Sequence, residues 1–141
     1  MKIRNYNPET DYEAVAALLH DSSTYGGEFD AARDTKERID ALEAQKPGSV
    51  LVAVADDTVI GTVTLFEDGR SAWLYRFAVR AEYEAEATAA LWEQAEATMK
   101  ARGHSQVLVY APAGNENFKQ RYNQLGFATG GDYTAYWQDI N

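Results

Sequence analysis

The stretch FAVRAEYEAEATAALWEQ, residues 77–94, joins the end of a strand to a helix through an acidic turn. Its opening residues close a run rich in β-branched and aromatic side chains, SAWLYRFAVR (71–80), which reads as a strand. Beyond it Leu91, Trp92, Ala95 and Met99 recur at helical spacing, and Gly103 supplies a stop. A strand that turns straight into a helix offers successive backbone N–H groups at the helix start, an arrangement that can hold phosphate. Here the turn carries Glu82, Glu84 and Glu86 where glycines and a cation would be expected.

Working outward, SVLVAVAD (49–56) and TVIGTVTLFE (58–67) are two further strands joined by a tight Asp-Asp turn. Upstream, MKIRNYN (1–7) alternates well enough for an edge strand. Thr10 and Glu13 form a capping-box pattern before a helix whose apolar face is Tyr12, Val15, Ala16 and Leu19. A second, mostly charged helix is expected over roughly 31–45, burying little beyond Ile39 and Leu42. Downstream, SQVLVYAP (105–112) is a short apolar strand of the kind that sits inside a sheet. AGNENFKQRYNQLGF (113–127) is a short helix with Phe118, Tyr122 and Leu125 on one face, Gly126 just past its end and Phe127 as hydrophobic cover. DYTAYWQDI (132–140) reads as a closing strand. The order β-α-α-β-β-β-α-β-α-β demands an α/β (α+β) fold with a mixed sheet and helices on both faces. At 141 residues the chain is expected to form one domain over 1–141.

Composition excludes several classes of function. The formal net charge of −9 argues against a general nucleic-acid binder and suits cationic partners better. No apolar run approaches the roughly 20 residues of a membrane span, and MKIRNYNPETDYEAV lacks the apolar core of a secretion signal, so a cytoplasmic location is expected. The absence of cysteine removes thiolate nucleophiles and thiolate metal sites. His20 and His104 have no Asp, Glu or His neighbours at ligand spacing, so no metal is expected. Neither a Gly-x-Ser-x-Gly elbow nor a P-loop lysine motif occurs.

Three segments in order, VLVAVADDTVIGTVTLFE with Gly61, FAVRAEY, and NENFKQRYNQLGF, resemble the GNAT acyltransferase superfamily over essentially the whole chain. The resemblance implies a mixed, mostly antiparallel sheet and transfer of an acetyl group from acetyl-CoA to a primary amine by direct attack. The acceptor would be a small-molecule or protein amine. In that family the fourth and fifth strands splay apart, and the pantetheine arm lies along the fourth. Carried over, this puts the backbone of Phe77, Ala78 and Val79 along the arm. Tyr122 would be the acid for the departing thiolate, although a core tyrosine completing the Phe118 and Leu125 stripe fits the same pattern. Asn115 would bond the cofactor arm, and it equally suits a helix N-cap.

The family's diphosphate motif is Arg or Gln, two residues, Gly, one residue, then Gly or Ala. Glu84 falls on the Arg/Gln position, Ala87 on the glycine and Ala89 on the permitted alanine, with Ala85, Glu86 and Thr88 between them. Methyl groups at Ala85 and Ala87 leave the amides available, whereas Glu84 sets an anion beside an anion. A weakened grip on acetyl-CoA is expected, with Arg80, Lys119 and Arg121 as candidate compensating cations. On the acceptor side, Asp21, Glu28 and Asp30 with Tyr25, Tyr133, Tyr136 and Trp137 would suit a cationic amine. Glu67, Tyr75, Tyr110 or a water are open as general base. Two readings compete: a non-catalytic binding or regulatory module of the same fold, and an interaction protein forming a homodimer through its last strand.

Overall fold

The computed structural model describes residues 1–21 and 28–140. Strands β1 (Lys2–Asn5), β2 (Val50–Ala55), β3 (Thr58–Glu67), β4 (Ala72–Val79) and β5 (Val107–Val109) form one sheet in that spatial order. β1 to β4 pair antiparallel, and β5 pairs parallel to β4. The helices are α1 (Tyr12–His20), α2 (Lys36–Gln45), α3 (Glu84–Ala101) and α4 (Glu116–Gln124), with a 3-10 turn at Ala81–Tyr83 leading into α3.

Strand alternation divides the core between two faces. Val50, Val52, Val59 and Ala78 pack with Val15, Leu18 and Leu19 of α1 and Ile39 of α2. Leu51, Ala53, Ile60, Val63, Leu65, Leu74, Phe77 and Val79 pack with Ala87, Leu91, Ala95 and Met99 of α3. The Asp-Asp connection is a two-residue hairpin turn with positive φ at both positions, 48° at Asp56 and 60° at Asp57. The end of α4 is also as expected. Gly126 has φ 88°, its N–H donates to the carbonyl of Asn123, and Phe127 N–H donates to that of Tyr122 at 2.9 Å.

Four expectations are corrected. The strand expected inside the sheet is β5, three half-buried residues at the sheet edge, because only Val107 to Val109 find partners on β4. The capping box at Thr10 does not form: α1 starts one residue later, and the Asp11 carboxylate is engaged by Arg4 at 2.6 and 3.0 Å and by the N–H of Asn7 at 2.7 Å. The second helix begins at Lys36, capped by Thr35 accepting from the N–H of Arg38, because Asp30 to Asp34 close on themselves in a turn. The closing strand is absent, and residues 128–140 form neither helix nor strand. Along that segment Tyr133 and Tyr136 would fall on opposite faces of a strand, so neither face is uniformly apolar; both side chains are exposed, as are Trp137 and Ile140.

Gly61 lies inside β3, opposite Ala53 on β2 and Val79 on β4. A Cβ there would sit 2.8 Å from Val79 Cγ1 and 3.2 Å from Leu91 Cδ1, so the missing side chain sets how closely α3 approaches the sheet. Gly61→Ala should therefore destabilise the fold by about 1–3 kcal/mol through overpacking. A thermal melt checks this, and an unchanged Tm would show that α3 shifts without cost.

Candidate active site

The site begins with a backbone irregularity. Opposite Thr62 and Thr64 on β3 stand Ala78 and Tyr75 on β4, so β4 carries one extra residue, and Arg76 within it takes φ 48°. A bulge of this kind bends its strand and re-aims its side chains. Pairing of β4 with β5 ends at the same place. Only Ala72, Trp73 and Leu74 have partners, in Val107, Leu108 and Val109. Past Leu74 the two strands part and leave a cavity of about 120 Å³ lined by Trp73, Tyr75, Arg76, Phe77, Tyr110, Phe118 and Tyr122, among others.

Tyr122 reaches this cavity from α4. Its ring meets Phe77 at 6.3 Å and Phe127 at 5.6 Å, both edge-on, so the turn that ends α4 also holds the tyrosine in place. Burial pushes its phenol pKa up, partly opposed by the charge and hydrogen bond of Arg121, and the group stays protonated at neutral pH. Asn115 is the N-cap of α4: its Oδ1 accepts from the N–H groups of Asn117 at 3.1 Å and Phe118 at 3.3 Å.

Phe77, Ala78 and Val79 end β4 fully inside the fold. Of the turn residues, Ala85, Glu86 and Ala89 are exposed, while Ala87 and Thr88 are buried against the sheet. The hydroxyl of Thr88 donates back to the carbonyl of Glu84 at 2.5 Å, within its own helix. Glu84 does not stand alone. Arg121 Nε donates to its Oε1 at 2.5 Å and Nη2 to its Oε2 at 2.9 Å, a bidentate pair. Arg121 Nη1 donates to the carbonyl of Phe77 at 2.8 Å, and the guanidinium lies over the rings of Phe77 and Phe118 at 5.2 and 4.9 Å. The Arg121 side chain is 2% exposed, the Glu84 side chain 40%. Of the three cations expected to compensate, Arg121 is therefore held by Glu84, while Arg80 and Lys119 are exposed. The sequence signal for this pairing is an arginine three residues after Phe118 and four before Leu125, within an apolar stripe.

On the other face, Arg76 Nε binds Asp34 Oδ1 at 2.9 Å, and Tyr12 donates its hydroxyl to the carbonyl of Asp34 at 2.9 Å. This ties α1 and the segment before α2 to the bulge. Among the acceptor-side residues, Tyr25 lies outside the described residues; Glu28 is exposed and Asp30 pairs with Arg33 at 2.7 Å. Tyr133 meets Tyr110 at 6.0 Å, but Tyr136 and Trp137 are not brought to the cavity. Of the general-base candidates, Tyr75 and Tyr110 line the cavity and Glu67 does not. Among the described residues no group of His, Asp or Glu could hold a metal ion, and no helix is long and apolar enough to cross a membrane.

The protein is thus a mixed α/β fold whose fourth strand bulges and leaves the fifth, with a helix starting where the fourth ends. The family model for the acetyltransferase (GNAT) family matches residues 12–127, and the chain belongs to that family. No curated protein matches the chain. Among solved structures, Ard1 from Thermoplasma volcanium is 21% identical with a TM-score of 0.75, over 92% of this chain and 84% of that one. An aminoglycoside antibiotic 6′-N-acetyltransferase from Acinetobacter haemolyticus shares the fold at 17% identity and TM-score 0.75, over the full length of both. The PaiA N-acetyltransferase from Thermoplasma acidophilum, solved in complex with coenzyme A, is 25% identical with a TM-score of 0.70 over 86% of each chain.

Glu67 is instead the centre of a charge cluster at the paired end of β4 and β5, the closed end of the wedge that the two strands form. It binds Lys46 at 2.6 Å, Arg102 at 2.8 Å, and the ring of His104. Burial alone would raise its pKa; the hydrogen bonds from Lys46 and His104 and the charge of Arg102 outweigh that and bring it down to about 2, from an ordinary 4.5. A depressed carboxylate contributes stability that is fully present above pH 4.5 and lost as pH falls from there toward 2. The Tm advantage of the wild type over Glu67→Gln should therefore be largest above pH 4.5 and shrink toward pH 2. Parallel melting curves for the two proteins across that range would refute the assignment.

Proposed function

We propose that the chain is an N-acetyltransferase that moves an acetyl group from acetyl-CoA to a primary amine by direct attack. The observation that carries this reading is the opening between β4 and β5 with a protonated phenol, that of Tyr122, on its wall. Past Leu74 the edge of β4 has no strand partner in β5, which offers a pantetheine arm a strand to lie along, and the amides of Asn115 and of β4 offer it hydrogen bonds. The names of the structural relatives, N-acetyltransferases among them, support the same chemistry.

In this scheme the neutral amine attacks the thioester carbonyl, a C–N bond forms and the C–S bond breaks. A backbone N–H of β4 beside the bulge stabilises the developing oxyanion. The departing sulfur takes the proton of Tyr122, and the proton lost by the amine leaves through a water with Tyr75 or Tyr110 at its side. The acceptor is an amine, small or on a protein, drawn to an acidic surface of net charge −9. The chain works as a cytoplasmic protein.

A second reading is favoured by one observation, the Glu84–Arg121 pair at the start of α3. With that pair closing the diphosphate position, the same fold would serve as a binding or regulatory module. Catalysis distinguishes the two. Tyr122→Phe keeps the ring contacts with Phe77 and Phe127, so the fold should be unchanged while kcat falls on the order of 100-fold and the KM for acetyl-CoA barely moves. Thiol release over a panel of amines measures this. A wild-type protein that neither releases thiol nor binds acetyl-CoA would leave the module as the surviving reading.

A further inference from the structure

The residues present fit one end of the donor and not the other. The wedge suits a pantetheine arm, which is uncharged and carries amides that pair with a strand edge. A donor lying along β4 from the cavity toward the end of the strand next reaches the first turn of α3. A diphosphate would meet Glu84 there, already closed on Arg121, with the exposed carboxylates of Glu82 and Glu86 beside it. To take Arg121 for itself it would have to displace a bidentate carboxylate from a guanidinium that is 2% exposed and also holds the Phe77 carbonyl. To bind without displacing it, the diphosphate would have to sit beside the carboxylates of Glu82, Glu84 and Glu86 with Arg80 as the one cation of residues 80–86, a balance of charge that disfavours binding.

We infer that this chain recognises its acyl donor by the pantetheine arm, with little contribution from the nucleotide diphosphate, and that Glu84 sets this donor specificity. The inference rests on the acetyltransferase reading above. Its consequence is a wider donor class: acyl thioesters of pantetheine that lack the nucleotide are bound about as well as acyl-CoA. Arg121 is the positioning residue in this arrangement, because it holds the Glu84 carboxylate across the helix start.

Calorimetric titration of the full chain with acetyl-CoA and with acetyl-pantetheine tests this. The two Kd values should agree within about threefold, and Glu84→Gln should tighten acetyl-CoA about tenfold while leaving acetyl-pantetheine unchanged. Glutamine keeps one oxygen for Arg121, so the variant retains a hydrogen-bonded partner for the buried guanidinium. If Glu84→Gln fails to fold, the ratio of the two wild-type constants decides alone. Acetyl-CoA binding about 100-fold tighter than acetyl-pantetheine to the wild type would overturn the inference and leave the acetyltransferase reading standing. Binding of neither thioester would overturn both.

Discussion

At Arg76 the backbone of β4 enters the left-handed region, and from that residue on the strand keeps its pairing with β3 and gives up β5. For a residue with a side chain this conformation costs about 1–3 kcal/mol and persists only where the surroundings over-determine it. Here they do. The guanidinium of Arg76 binds the buried carboxylate of Asp34, whose other oxygen accepts from the N–H of Asp30 at 2.8 Å. The hydroxyl of Tyr12 in turn donates to the backbone carbonyl of Asp34. The bulge is thus held by α1 and by the turn before α2, and the cavity, the free side of β4 and the reach of Tyr122 all follow from it.

A second constraint comes from burying a cation. Arg121 has lost nearly all contact with water, so every N–H it turns inward needs an acceptor, and its charge needs an anion. Glu84 supplies the anion, Phe77 supplies a carbonyl, and the faces of Phe77 and Phe118 complete the cover. This joins the middle of α4 to the start of α3 and to the last turn of β4 in one network. Glu84 keeps 40% of its side chain in water, yet it cannot leave without exposing its partner to an uncompensated burial.

Most of the framework was legible because it rests on local rules. β2, β3, β4 and α3 followed from period-two and period-3.6 patterns, and the end of α4 from Gly126 and Phe127. What escaped was of two kinds. The bulge is a one-residue slip of register, and nothing in WLYRFAV distinguishes an arginine in the left-handed region from one in an ordinary strand. The pairs Glu84–Arg121, Arg76–Asp34 and Glu67–Arg102 join residues far apart in sequence, so no window of the chain contains both partners. In the sequence Glu84 is an anion out of place and Arg121 a cation in reserve; only the fold brings the two to 2.5 Å. The closing strand failed for a different reason, since aromatic content alone was standing in for a consistent buried face.

The neighbours Arg121 and Tyr122 share Phe77 as a support, and each has a further anchor of its own. Arg121 is fixed by Glu84 and Phe77 at the mouth of the wedge. Tyr122 is fixed by the turn that ends α4, where its carbonyl accepts from Phe127 and its ring packs on the Phe127 ring, which also meets Trp92 of α3 at 4.7 Å. Glu84 thus supports the phenol only through Arg121, whereas the turn that ends α4 holds it directly. Arg121 acts on the phenol in one further respect: its charge partly opposes the rise in the Tyr122 pKa that burial imposes, and so keeps the phenol a better acid than its apolar surroundings alone would allow.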